Sequence, residues 1–139
     1  MHLGDEIGPE RRRAPEVAQI AAYLGAGRAA PPLFVDAEYA RAHGFGGVIA
    51  PGPMLTAFLE QFVLAALPGW RLEAIGTTFR VPTVAGAEVE LRGAVTEHHE
   101  MADGERLVCD LVVAHADGTA AVTGTARLFR PGPPIARGD

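Results

Sequence analysis

The chain has 139 residues, of which 48% are hydrophobic and 21% are charged, a length and composition that suit one compact domain with one core. Its 17 acidic and 12 basic residues give a formal charge of -5 with no aromatic-studded basic face, so we expect no nucleic-acid partner. The single cysteine, Cys109, excludes an intramolecular disulfide, and no apolar stretch approaches about 18 residues, so we expect a cytoplasmic protein without a membrane segment.

A first helix is predicted over residues 14–24. Pro15 suits its first turn, where a missing N–H costs nothing. Four apolar residues then recur at helical spacing and predict one apolar face: Val17, Ile20, Ala21 and Leu24. The three arginines at 11–13 are interpreted as a solvated turn before this helix, and two prolines predict an extended loop over residues 28–35.

Two further helices are predicted after the loop. Asp36 is expected to cap a short helix over residues 37–43, because its carboxylate can accept a hydrogen bond from the Tyr39 amide. Gly44 is expected to end that helix. The third helix, over residues 53–67, carries a strongly apolar stripe and must be largely buried: Leu55, Phe58, Leu59, Phe62 and Ala66.

The second half of the chain predicts four strands, at residues 70–81, 88–98, 105–115 and 119–129. Asp-Gly pairs separate the last three strands and are the strongest hairpin signals in the chain, so the sheet should be an antiparallel meander. The predicted fold class is α+β: a single hotdog domain over residues 1–130, with an antiparallel sheet wrapped around one long buried helix. Residues 131–139 are predicted to form a flexible C-terminal tail.

A small sheet of this kind leaves unpaired edges that usually need covering. We therefore expect either a homodimer or a heterodimer with a related hotdog chain.

Two segments of the sequence resemble the MaoC-like family of hydratases and dehydratases. Residues 32–52, PLFVDAEYARAHGFGGVIAPG, are similar to the signature region of that family, and residues 79–86, FRVPTVAG, are similar to its "FR-x-P-x-x-x-G" strand end. The resemblance spans residues 20–130. It implies a substrate that is an acyl-CoA thioester, an acyl-carrier-protein thioester or a polyketide-like small molecule, and we expect no cofactor and no metal.

The resemblance also shows where this chain departs from the family. An Asp and a His of the family hold a water and exchange protons with the substrate as water adds or leaves. By position the His falls on Phe34 and the Asp on Ala29, and neither side chain exchanges a proton. Six residues are carried over as the predicted substrate-binding set: Ala29, Phe34, Ala50, Gly52, Met54 and Leu55.

The same resemblance places the substrate carbonyl at the N-terminus of the third helix, where backbone amides are unpaired. Pro53 has no N–H, so the donors there must be Gly52, Met54 or Leu55.

Asp36 and His43 are the candidate substitutes for the missing catalytic pair. Each has a structural alternative, because Asp36 is also the predicted helix cap and an imidazole at residue 43 favours the C-terminal dipole of the short helix. Glu60 either faces solvent or reaches the cavity as an acid. His98 and His99 are neighbours on a strand, point to opposite faces and cannot form one metal site.

The sequence is compatible with two functions. The first is an acyl-thioester hydratase or dehydratase with altered or repurposed chemistry, such as cyclisation or elimination. The alternative is a non-catalytic partner subunit of a heteromeric MaoC-type dehydratase.

Overall fold

The computed structural model describes residues 1–25 and 30–133. These ranges contain the following elements in chain order: β1 (Glu6–Arg13), α1 (Val17–Leu24), a 3-10 turn (Pro32–Phe34), α2 (Ala37–Ala42), α3 (Gly52–Ala66), β2 (Arg71–Phe79), β3 (Glu88–Met101), β4 (Gly104–His115) and β5 (Ala120–Pro131). The predicted tail over residues 131–139 falls mostly outside the described residues, although β5 itself reaches Pro131.

The strands form one antiparallel sheet in the order β1-β3-β4-β5-β2. Both predicted Asp-Gly hairpins are confirmed, since β4 pairs with β3 on one side and with β5 on the other. In the second hairpin turn Gly118 adopts a φ of 89°, a left-handed conformation that favours glycine.

Two features of the sheet correct the prediction. The arginines at 11–13 are part of β1 and pair with residues 88–90 of β3, so the prediction of a solvated turn was wrong. A register shift between Ile7 and Glu10, with Pro9 between them, interrupts the alternation that would have revealed this strand. The sheet is also not a simple meander, because β2 pairs with β5 and leaves the outer side of β3 to β1.

The long helix α3 packs against the inner face of the sheet. Its buried residues are Leu55, Leu59, Phe62 and Val63, whereas Leu64 on the opposite side is 40% exposed. The helix meets a row of buried side chains from the central strands: Val89, Leu91, Val95, Leu107, Cys109, Leu111 and Val113. The predicted hotdog arrangement, one antiparallel sheet around one long helix, is confirmed.

The two shorter helices pack beside the start of α3. Asp36 caps α2 as predicted, accepting a hydrogen bond from the Tyr39 amide at 3.1 Å, and Gly44 follows the helix with a φ of 90°. Ile20 of α1 forms a second small core with Val48 and Ala50. Within the described ranges, none of the helices has the length and apolar character needed to span a bilayer.

Candidate functional site

A cleft of about 300 Å³ opens beside the N-terminus of α3. Its lining residues are Phe34, Ile49, Ala50, Gly52, Leu55, Phe79, Arg80, Val81, Pro82, Thr83 and Val122. The cleft therefore brings together four of the six residues predicted to bind substrate: Phe34, Ala50, Gly52 and Leu55.

Three separate parts of the chain are tied together around this cleft by backbone hydrogen bonds. The Ile49 amide donates to the Leu33 carbonyl at 2.9 Å, which joins the segment before α3 to the 3-10 turn that carries Phe34. The Ala50 amide donates to the Thr83 carbonyl at 2.8 Å, which joins the same segment to the loop after β2. These bonds fix the cleft walls relative to the start of α3.

Gly52, the first residue of α3, lies against the ring of Phe79. A Cβ atom added to Gly52 would lie 2.6 Å from Cζ of Phe79, so only glycine permits this close approach without a shift of the ring. The Met54 amide donates to the Pro51 carbonyl at 3.0 Å, and no described residue accepts a hydrogen bond from the Gly52 amide. Of these two amides, that of Gly52 is the one available to a ligand carbonyl.

Two residues of the predicted binding set are not in the cleft as described. Met54 packs against the small core formed by Ile20, Val48 and Ala50, and it is absent from the cleft lining. Its place in the substrate-binding set stays a prediction. Ala29 lies outside the described residues.

Asp36 and His43, the candidate catalytic substitutes, both belong to the ends of α2. Asp36 accepts from the Tyr39 amide, and Nδ1 of His43 donates to the Tyr39 carbonyl at 2.8 Å while its ring stacks on Tyr39. Neither residue lines the cleft, and neither does Glu60 on α3. Their geometry agrees with the structural alternative for each.

The structure reveals a polar pair at the cleft that the sequence reasoning missed. Thr83 lines the cleft. Among the described residues it is the polar residue that is buried in the core, at 1% exposure. Its Oγ1 lies 2.9 Å from Nε2 of half-buried His115. A signal was present, because alternation along β4 places residue 115 on the same inner face as Leu111 and Val113.

Cys109 offers no reactive thiol to the site. It is fully buried in the main core, and burial raises the pKa of its thiol to about 11. Across the described ranges, no group of three or more His, Cys, Asp or Glu side chains is arranged to hold a metal ion. The side-chain chemistry at the cleft is therefore that of Arg80, Thr83 and, behind Thr83, His115.

No protein-family model and no curated protein matches the chain. Solved structures do match it along nearly its full length. A MaoC-like dehydratase from Rhodospirillum rubrum superposes with a TM-score of 0.79 at 24% identity, covering 97% of this chain and 96% of the other. The (R)-hydratase of A. caviae involved in PHA biosynthesis gives a TM-score of 0.80 at 23% identity, covering 94% and 98%.

A third structure is the ChsH1–ChsH2 complex from Mycobacterium tuberculosis, with a TM-score of 0.75 at 21% identity and coverage of 94% and 98%. The similar proteins thus include a heteromeric complex as well as hydratases and dehydratases. The chain has the hotdog fold of the MaoC-like dehydratases and (R)-hydratases.

Proposed function

We propose that the chain binds acyl thioesters in the cleft and is a hydratase- or dehydratase-type protein with altered chemistry. The observation that carries this proposal is the position of the cleft at the start of α3, where the Gly52 amide has no acceptor among the described residues. An amide at a helix N-terminus is suited to stabilise charge that develops on a carbonyl oxygen.

The size and lining of the cleft support a short acyl chain as ligand. Its volume of about 300 Å³ lies at the lower end of the range for small-molecule sites, and most of its side chains are apolar. A CoA thioester, a carrier-protein thioester and a polyketide-like molecule all carry the carbonyl that Gly52 would meet.

The altered chemistry is inferred from Ala29 and Phe34, which stand at the positions of the family's Asp and His. A positioned acid or base contributes on the order of 10²–10⁴-fold to a rate, so the chain should hydrate an enoyl thioester slowly by the family's usual route. Phe34 supplies instead an apolar wall to the cleft.

The test is hydration of crotonyl-CoA by the natural chain and by an Ala29→Asp, Phe34→His double variant. The natural chain should be slow, and the double variant should gain activity on the order of 10²-fold. The matched control is an Ala29→Asp, Val35→His variant, which places the imidazole on the neighbouring residue outside the cleft lining. Hydration by the natural chain as fast as by an intact relative, or an equal gain in the control, would contradict the proposal.

The alternative is a non-catalytic partner in a heteromeric dehydratase. The ChsH1–ChsH2 complex among the similar structures supports it. The two edges of the sheet also differ in a way that supports pairing with another chain. The edge strand β1 is interrupted by Pro9 and is rich in charge. The edge strand β2 has neither feature and ends at Phe79, which is 53% exposed. A related chain would pair along β2.

Light scattering of the chain alone and co-expressed with a related hotdog chain separates the two functions. A stable homodimer favours the first proposal, and solubility only in the presence of the related chain favours the second. Ala74→Lys on exposed β2 should weaken either dimer, because a charge would enter the pairing edge. Glu10→Lys on β1 is the control on the opposite edge.

A further inference from the structure

The ring of Phe79 fills the space beside the first residue of α3. Three of its atoms, Cζ, Cε2 and Cε1, lie 2.6, 2.7 and 2.8 Å from the point where a Cβ atom of Gly52 would stand. Because these are side-chain atoms, the ring itself, rather than the backbone of β2, borders the start of the helix at the cleft. Phe79 is also 53% exposed, so its ring is accessible to a ligand that enters from solvent.

We propose that Phe79 is the specificity-determining residue of the cleft and excludes thioesters whose acyl group is branched at C2, the carbon next to the carbonyl. The inference rests on the proposed function, because it requires the thioester carbonyl to accept a hydrogen bond from the Gly52 amide. It adds the class of acyl group that the cleft accepts, which is one without a branch at C2.

Bond geometry brings C2 of a bound thioester close to the ring. A carbonyl oxygen that accepts from the Gly52 amide lies about 2.9 Å from the amide nitrogen, and C2, two bonds beyond that oxygen, lies within about 5 Å of the nitrogen. The Cα atom of Gly52 is about 1.5 Å from the same nitrogen, and the Phe79 ring packs against that Cα. C2 and the ring are therefore neighbours of the same amide.

The space between Gly52 and Phe79 does not hold an additional carbon atom. A Cβ atom on Gly52 would be a one-carbon branch, and it would overlap three atoms of the ring. A methyl branch at C2 has the same size and enters the cleft beside the same residue, so we expect it to meet the same ring. One additional carbon that a site does not accommodate typically changes discrimination on the order of 10-fold or more.

The apolar residues that line the cleft around the start of α3 leave little room for adjustment. Ile49, Ala50 and Leu55 line the cleft and are all buried. The Ala50 amide is also tied to the Thr83 carbonyl by the hydrogen bond of 2.8 Å. Because close packing restricts the movement of buried side chains, a branched acyl group would have to displace Phe79 instead.

The backbone of Phe79 is fixed, although its side chain is exposed. Phe79 pairs with Val122 of β5, and the next amide, that of Arg80, donates to the Ala121 carbonyl at 2.8 Å. A branched acyl group can therefore enter only if the ring rotates away from Gly52, which exposes to water the apolar part of the ring that Gly52 now covers. An unbranched acyl group needs no such rotation and is favoured.

The first test measures by calorimetry the dissociation constants of butyryl-CoA and 2-methylbutyryl-CoA, which are saturated and so bind without being hydrated. The natural chain should favour butyryl-CoA on the order of 10-fold, Phe79→Leu should reduce this preference, and Phe79→Ala should abolish it. Phe58→Leu, at a phenylalanine of α3 outside the cleft lining, is the matched control and should keep the preference. Thermal unfolding confirms that each variant folds.

The second test introduces Gly52→Ala into the natural chain and into Phe79→Ala. The new Cβ should weaken butyryl-CoA binding in the natural chain, because it displaces the ring, and the loss should be smaller where the ring is absent. Equal losses in the two backgrounds, no preference for butyryl-CoA in the natural chain, or an unchanged preference in Phe79→Ala overturns the role of Phe79 and leaves the proposed function standing. Failure of the natural chain to bind either thioester overturns the proposed function and this inference together.

Discussion

Two histidines at opposite ends of the sheet have different partners. At the end distant from the cleft, Nε2 of His98 donates to Glu105 at 3.1 Å, and Glu105 also accepts from Arg130, whose guanidinium lies 4.7 Å from the ring centroid of Trp70. At the cleft end, His115 bonds the neutral hydroxyl of Thr83.

The chemical type of the partner explains the contrast between the two ends. An ionised carboxylate only accepts hydrogen bonds, so Glu105 holds Nε2 of His98 as a donor. A hydroxyl both donates and accepts hydrogen bonds, so Thr83 can pair with either tautomer of His115. The end distant from the cleft is therefore held by charge, and the cleft end by a hydroxyl.

The largest expected effect comes from the core that joins the two ends. Leu59→Ala removes a fully buried side chain from α3 and should cost about 2–5 kcal/mol in the free energy of unfolding, because a cavity is left behind. Urea unfolding measures this loss in the free energy of unfolding. Leu64→Ala, at an exposed residue of the same helix, should change stability by less than about 0.5 kcal/mol. Similar losses in the two variants would contradict the packing of α3.

Breaking the pair at the cleft end should have a moderate effect on stability. Thr83→Val keeps the shape of the side chain but leaves the half-buried His115 without its partner, at a cost of about 1 kcal/mol. Thr78→Val, at an exposed threonine of β2, is the control and should be near neutral. If the two variants have the same urea midpoint, the hydrogen bond contributes nothing to folding.

The stability that the charged end contributes should depend on pH. Hydrogen bonds from Arg130 and then from His98 lower the pKa of Glu105 from its ordinary value of 4.5. A carboxyl whose pKa falls on folding adds stability that is present above pH 4.5 and is lost as the pH falls through the lowered pKa.

Glu105→Gln should therefore lower the Tm at neutral pH, and the difference from the natural chain should shrink in acid. Calorimetry at several pH values measures this difference. Glu100→Gln, which removes the same charge from the residue paired with Glu105 on β3, is the control. An identical pH response of the two variants would show that the Arg130 and His98 contacts do not act on Glu105.

The smallest effect is expected at Cys109, which lies between the two ends. Because its thiol is buried and its pKa is raised to about 11, labelling with a thiol reagent should be negligible in the native chain and rapid in denaturant. Rapid native labelling at neutral pH would indicate that the core between β4 and α3 opens.

Part of the cleft was predictable from the sequence and part was not. Phe34, Ala50 and Gly52 were placed there by the resemblance to the MaoC-like signature region. Met54 does not line the cleft, because residues on a helix advance by about 100° each, so a residue two positions after Gly52 faces away from it. Leu55, three positions after Gly52, returns to the same face.

Local chemistry determined the parts of the fold that the sequence predicts by itself. The apolar stripe of α3, the Asp36 cap and the two Asp-Gly hairpins depend on residues within a few positions of one another, so their patterns are visible along the chain. The antiparallel sheet around a long helix follows from those patterns.

Only the tertiary structure decided which distant segments meet. The pairings of β1 with β3 and of β2 with β5 join segments more than about 40 residues apart, and the contact of Thr83 with His115 spans 32 residues. No local spacing encodes such contacts, because they depend on how the sheet closes over the helix. The cleft at the start of α3, and the histidine behind its wall, are products of that closure.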